Sequence, residues 1–239
     1  MKIRMFSLLM IALLLCNTNT MNAQNLNKKL KKYTSVVVTA YGQVNDERKA
    51  RLEEIGDFLV NKIEEEDGRA DVIVICTHNS RRSHIAQAWL QTAAVYYGIK
   101  GIQVFSGGLE GTAFHPNAVA ALERAGFKAS SVQSGANPVY SLSNGSGAYL
   151  MYSKKYTDRQ NPQEDFGAMM VCADADKSCP MVQGAEARFS LPFEDPRYYD
   201  NTPSQDLKYD ETVRLIAHEM FYLAYYVKTQ TNLKLEANK

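Results

Sequence analysis

The stretch Val72-Ile73-Val74-Ile75-Cys76-Thr77-His78-Asn79-Ser80-Arg81-Arg82-Ser83 decides how this chain folds. Four consecutive β-branched residues suit a strand packed on both faces, so 72–75 reads as a buried strand of the parallel kind. The polar residues after it form a loop, and Ile85, Ala88, Trp89, Thr92 and Tyr96 then recur at helical spacing up to Gly98, a helix stop. Working outward, Ile102–Phe105 is a second strand closed by Ser106-Gly107-Gly108, and Pro116 and Gly126 bracket a helix carrying Val119, Leu122 and Ala125. Ala168–Cys172 and Ala187–Pro192 supply a third and a fourth strand. Val213, Ile216, Met220 and Leu223 mark a last helix from about Glu211 to Lys228. Strands alternating with helices predict an α/β fold: a three-layer sandwich around a central four-stranded parallel sheet, with the loop directly after the first core strand.

Between the second and third strands, residues 130–165 hold no period and are rich in Ser, Gly and Asn at 141–147, so they read as a long surface insertion with a strand at 148–152. Upstream, Leu52, Ile55, Leu59 and Ile63 predict an amphipathic helix over 46–66 with Gly68 as its stop. Residues 24–45 are polar apart from Val36-Val37-Val38 and read as a short strand or a docking segment. The expected organisation is an N-terminal extension over 24–70 and one domain over 71–239.

The loop carries the chemistry. From Cys76 to Arg82 there are five intervening residues, enough to curl so that successive backbone N–H groups face one oxyanion, while Arg82 on the first helical turn folds back over it. Its guanidinium offers a bidentate fork. At the centre of this positive nest the Cys76 sulfur is favoured as thiolate, the nucleophilic form. Ser83 is placed to donate a hydrogen bond to that sulfur, and Asn79 tolerates the left-handed backbone such loops need. Thr77, His78, Asn79, Ser80, Arg81, Arg82 and Ser83 are therefore the candidate binding residues. The position, between a buried strand and a helix N-terminus, is where an anion site belongs in an α/β sheet.

With these residues the sequence resembles the low-molecular-weight protein tyrosine phosphatase family, and within it the thioredoxin-coupled arsenate reductases. The likeness runs from about Asp71 to the C-terminus, interrupted by 130–165. It includes Ser83-His84-Ile85-Ala86-Gln87-Ala88-Trp89, Phe105-Ser106-Gly107-Gly108, the helix holding Asn117, and Glu194-Asp195-Pro196. The resemblance implies that Cys76 is the nucleophile, Arg82 the oxyanion holder and Asp195 the general acid. It also gives a role to Cys172-Ala173-Asp174-Ala175-Asp176-Lys177-Ser178-Cys179. In the arsenate reductases such a pair is a redox relay, in which Cys172 attacks the arsenic adduct on Cys76 and Cys179 then attacks Cys172. The Cys172–Cys179 disulfide so formed awaits an external dithiol reductant, thioredoxin-like in the family. A structural disulfide across 172–179 is the competing reading. Tyr198 and Tyr199, displaced by Arg197 from Asp195-Pro196, resemble the aromatic pair of the phosphatases and favour phosphotyrosine hydrolysis. A noncatalytic oxyanion-binding protein is the third class. His78 stands where the family usually has glycine, and Gln87 replaces a glutamate that helps bind potassium in some relatives, so no metal is carried over.

Composition narrows the surroundings. The 239 residues carry 27 basic and 26 acidic side chains, and no basic run exceeds Lys28-Lys29-Leu30-Lys31-Lys32, so a nucleic-acid footprint is missing. Lys2 and Arg4 precede an apolar run over Met5–Leu15 and a polar stretch ending at Ala23, which predicts a signal peptide over 1–23 and an exported, periplasmic or secreted protein. The run is too short for a membrane span, which needs about 20 residues. Leu15 is bulky where lipid attachment at Cys16 wants a small residue, so anchoring there is the lesser option. Losing the leader takes the formal charge from +1 to −1 and leaves Cys76, Cys172 and Cys179, an odd number in an exported protein. A zinc site from these three and His78 matches no usual spacing, and a neighbouring arginine disfavours a dication. His115 and His218 read as ordinary lone histidines, and Tyr222, Tyr225 and Tyr226 as packing residues.

Overall fold

The computed structural model describes residues 25–65 and 67–237; the predicted leader and Cys16 lie outside them. In chain order the elements are α1 (Lys28–Val37), α2 (Asp46–Glu64), β1 (Ala70–Cys76), α3 (Arg82–Tyr97), β2 (Ile102–Gly108), α4 (Pro116–Ala125), β3 (Lys128–Gln133), β4 (Val139–Ser143), β5 (Ala148–Met151), β6 (Phe166–Met170), α5 (Ala173–Ser178), β7 (Ala185–Ser190) and α6 (Gln205–Ala237). The four core strands pair in the order β2-β1-β6-β7. Every pairing is parallel, Val74 lying opposite Ser106 on one side and Met169 on the other. The expected α/β architecture, a central four-stranded parallel sheet flanked by helices, is the observed one. Val72, Ile73, Val74 and Ile75 are all buried, as a strand covered on both faces requires.

α6 is longer at both ends than the 211–228 helix expected from its apolar face. It packs against α1, α2, α3 and α4, so tertiary contact sustains turns whose own pattern is weak. Gly56 makes the α2–α6 contact possible: a Cβ there would stand 2.5 Å from Cδ1 of Tyr226.

Two expectations are corrected. Of the 24–45 segment, the described residues from 25 on contain a helix, α1, and no strand. Asn27 caps it by accepting from the N–H groups of Lys29 and Leu30, and Leu30, Thr34 and Val37 recur at helical spacing as its buried face. Val36 is left exposed, so the valine run is divided between two faces of a helix. The 130–165 segment is more ordered than a surface insertion with one strand. β3, β4 and β5 form a separate antiparallel sheet, with Leu142 and Met151 its fully buried members. Asn144 builds the second turn, its side-chain oxygen accepting from the N–H groups of Ser146 and Gly147.

The topology sets the site. β1 ends at Cys76, β6 leads through Val171 to Cys172, and β7 leads through Leu191 to the 192–195 loop, so three strands deliver their carboxyl ends to one edge of the sheet.

Candidate active site

Cys76 is 4% exposed, at the bottom of the loop between β1 and α3. Its Sγ lies 3.1 Å from Ser83 Oγ, which accepts at 2.8 Å from Asn79 Nδ2; the serine proton is thereby left to point at sulfur. Asn79 has φ 44°, in the left-handed region, and its Oδ1 accepts from the backbone N–H of Lys154 at 2.8 Å. The carbonyl of His78 accepts from Ser153 Oγ at 3.0 Å and Thr112 Oγ1 at 3.1 Å. The loop backbone is thus gripped from outside by the 108–112 turn and by the chain just after β5. The His78 ring is on the surface, 3.9 Å from Glu110. Gly108 lets these segments approach, because a Cβ there would meet Glu110 O at 2.2 Å and Asn79 N at 2.6 Å.

Arg82, 8% exposed, donates from Nη1 to Phe193 O at 2.9 Å and pairs through Nη2 with Asp195 Oδ2. Asp195 also caps the 3-10 turn Pro196–Tyr199 by accepting from Arg197 N. The two candidates for oxyanion holder and acid are therefore in direct contact. Arg82, Asp174, Asp195, Tyr198 and Tyr199 line an open cleft of about 610 Å³. Arg81 turns away from it, donating to Tyr209 Oη at 2.6 Å and Asp200 Oδ2 at 2.7 Å. Asp200 is a hub: Tyr209 Oη and Asn117 Nδ2 donate to its other oxygen. Partial burial pushes its carboxyl up, and those hydrogen bonds with the Arg81 charge hold it, on balance, below the usual carboxylate range.

The three cysteines among the described residues, Cys76, Cys172 and Cys179, are all free thiols. Cys172 is buried, and its Sγ lies 3.2 Å from Thr77 Oγ1, the residue next to Cys76. Burial raises this thiol, but the hydrogen bonds from Thr77 and from the Ala175 N–H, with the charge of Arg82, outweigh it and hold Cys172 below its ordinary value. Cys179 caps the far end of α5, half-buried, its thiol donating to Met181 O at 3.0 Å. Arg188 on β7 fastens α5, donating to Asp176 and to Cys179 O.

Loop, Arg82, Asp195 and Cys172 thus meet at one sheet edge, with Cys179 one short helix away. Thr112, Ser153, Lys154, Asp200 and Tyr209 also support the site, and no local motif marks them, since all lie far along the chain from the loop. Gln87 donates to Val104 O within the core. Among the described residues no group of three or more His, Cys, Asp or Glu is placed to hold a metal ion.

Residues 71–140 match the model of the family described as low molecular weight phosphotyrosine protein phosphatase. The resemblance read from the loop holds: over this stretch the chain is related to the low-molecular-weight phosphatases, and the curated relatives it matches are arsenate reductases. Arsenate reductase 2 of Staphylococcus epidermidis is 26% identical over 129 residues, covering 52% of this chain and 77% of the relative. Among solved structures, the YwlE arginine phosphatase from Geobacillus stearothermophilus aligns with a TM-score of 0.46 at 14% identity, over 69% of this chain and 96% of its own. An arsenate reductase from Archaeoglobus fulgidus aligns with a TM-score of 0.44 at 17% identity, over 64% and 98%.

Proposed function

We propose that the protein is an exported, thiol-dependent arsenate reductase. The observation that carries this reading is Cys172: a buried thiol on the hydroxyl of Thr77, beside the nucleophile, with its sulfur held below the ordinary cysteine value. A structural cysteine needs neither that position nor a lowered thiol.

In the proposed cycle the Cys76 thiolate attacks arsenic of arsenate held by the loop N–H groups and Arg82, and an arsenate oxygen leaves as water after protonation. The Cys172 thiolate then attacks Cys76 Sγ. The S–As bond breaks with its electron pair going to arsenic, so As(V) becomes As(III) and leaves as arsenite, while a Cys76–Cys172 disulfide forms. Cys179 attacks Cys172, Cys76 is freed as thiolate, and a Cys172–Cys179 disulfide remains for an external thioredoxin-like dithiol. This last exchange needs α5 to open. With six helical residues between them the two cysteines are held about 10 Å apart, whereas a disulfide needs Cα atoms roughly 4.4–6.8 Å apart.

A specific feature supports phosphomonoester hydrolysis as the second reading. Asp195 sits on Arg82, and Tyr198, 70% exposed, stands with Tyr199 on the cleft wall where an aryl phosphate would lie. Cys76, Arg82 and Asp195 would serve either reaction.

The test is arsenite production with dithiothreitol, run beside release of p-nitrophenol from its phosphate. Cys76→Ser should abolish both. Cys172→Ser should stop arsenate turnover and leave aryl phosphate hydrolysis largely intact, and Cys179→Ser should strand a Cys76–Cys172 disulfide visible by peptide mapping. Equal loss of both activities in Cys172→Ser, in step with a fall in melting temperature, refutes the relay and returns the protein to the phosphatases.

A further inference from the structure

Arg48 belongs to α2, ahead of the residues that match the family, and it is aimed at the loop that carries Asp195. Its Nε and Nη2 grip the two carboxylate oxygens of Glu219 on α6 at 3.0 and 2.5 Å. Its Nη1 donates to Pro192 O at 3.1 Å, and the guanidinium lies over the Phe193 ring, 4.8 Å from the centroid. Glu219 is 3% exposed, and burial pushes its carboxyl up by more than Arg48 pulls it down. A buried carboxylate held in a two-pronged grip fixes the plane of the guanidinium, and with it the direction of the third N–H.

That third N–H reaches the reacting groups in two further contacts. Phe193, whose ring Arg48 covers, gives its carbonyl to Arg82 Nη1, and Arg82 Nη2 holds Asp195. The Phe193 N–H is tied to Val171 O at 3.2 Å, beside Cys172. A residue N-terminal to the whole oxyanion-loop unit therefore braces the backbone from which the oxyanion-holding arginine hangs. Arg51, one turn on, reaches the same strand end through Ser190 O at 3.4 Å.

We infer that Arg48 is a positioning residue for the reaction: by fixing Pro192 and Phe193 it sets the orientation of the Arg82 fork and the reach of Asp195. The inference rests on the reading of Cys76, Arg82 and Asp195 as oxyanion machinery. A purely structural role for Arg48, as an α2–α6 ion pair, needs only its charge near Glu219. Lysine preserves that charge, but has no planar fork to hold Glu219 and Pro192 at once and covers Phe193 less well.

The experiment compares wild type, Arg48→Lys and Glu219→Gln in two measurements. The first is kcat on a series of aryl phosphates of rising leaving-group pKa. The second is the concentration of inorganic phosphate that half-protects Cys76 from iodoacetate, which needs no turnover. For Arg48→Lys we expect a folded protein with near-normal rate on the most activated ester, a roughly tenfold loss on phenyl phosphate and a several-fold weaker phosphate protection, because a displaced acid and fork matter most when the leaving group needs a proton. Glu219→Gln, which keeps the contacts to Pro192 and Phe193, should show the same pattern at smaller amplitude. An Arg48→Lys protein with wild-type leaving-group dependence and wild-type phosphate protection overturns the inference, as does a loss uniform across the esters that tracks melting temperature. If phosphate fails to protect Cys76 in the wild type, the oxyanion-site reading itself falls, and the role of Arg48 with it.

Discussion

Acidification should unfold this protein in part through His84, a residue two positions beyond Arg82. The ring is completely buried and stacks on Phe114 at 4.1 Å between centroids. Nε2 lies 3.2 Å from the carbonyl of Tyr152, which can only accept, so the ring proton is on Nε2; Nδ1 is buried without a partner. A proton added at Nδ1 would be an unsatisfied N–H on a cation, near the positive end of α3. Burial and then the Lys154 ammonium push His84 down to about 3, against the weaker pull of the Tyr152 carbonyl. In the unfolded chain the same histidine titrates near 6.5. Between those values the unfolded state binds a proton that the folded state refuses. The contribution is therefore fully present above pH 6.5 and is lost as pH falls from there toward 3. At pH 5 the gap is about 1.5 pH units at 1.36 kcal/mol each, or roughly 2 kcal/mol, a large part of a domain stability of about 5–15 kcal/mol. The assay is urea unfolding at pH 7 and pH 5 of wild type and His84→Gln. Glutamine retains a donor for Tyr152 but cannot titrate. His115 and His218 are also lowered, mainly by burial, and remain in both proteins, so the difference isolates His84. The variant should lose about 2 kcal/mol less than wild type on going to pH 5. An identical loss in both proteins would refute the argument, since it would mean that the buried ring accepts its proton without unfolding.

Gly108→Ala should destabilise the fold by about 3 kcal/mol or more and abolish activity, because the atoms its Cβ would strike, Glu110 O, Asn79 N and His78 C, are all backbone of the site. Gly42→Ala, with nothing within 4 Å of the new methyl, should leave both the urea midpoint and turnover within error of wild type. Asp200→Asn should cost about 2 kcal/mol and lower turnover, since the amide cannot satisfy Arg81, Tyr209 and Asn117 together. Its effect should shrink in acid, because the carboxylate's contribution is present above the unfolded Asp value and is lost as pH falls through the depressed folded one.

What could be read from the chain, and what could not, follows from where each signal resides. β1 and its loop were legible because a strand buried on both faces writes its burial as an unbroken apolar run, and because Cys76, Arg82 and Ser83 are set by one local turn. α1 is hidden in the sequence because three adjacent valines outweigh a helical face of only Leu30, Thr34 and Val37, although Asn27 is an available start signal. β3 shows almost no alternation, since five of its six residues face solvent, so hydrophobic periodicity had nothing to report. Contacts between distant segments left no trace in the residues themselves, and only the family resemblance placed Asp195 in one site with Arg82. The pairing of Arg82 with Asp195 spans 113 positions and that of Arg48 with Glu219 spans 171, and an arginine aimed at a buried carboxylate is indistinguishable in sequence from one on a solvated face. Cys172 shows the same division. Its spacing from Cys179 is local and readable, but the Thr77 hydroxyl and the Arg82 charge that lower its thiol come from the other side of the sheet edge, and they exist only once β1 and β6 are paired. Local sequence sets which groups are present, and strand order sets their reactivity, so the variants that separate reductase from phosphatase have to be tested in the assembled fold.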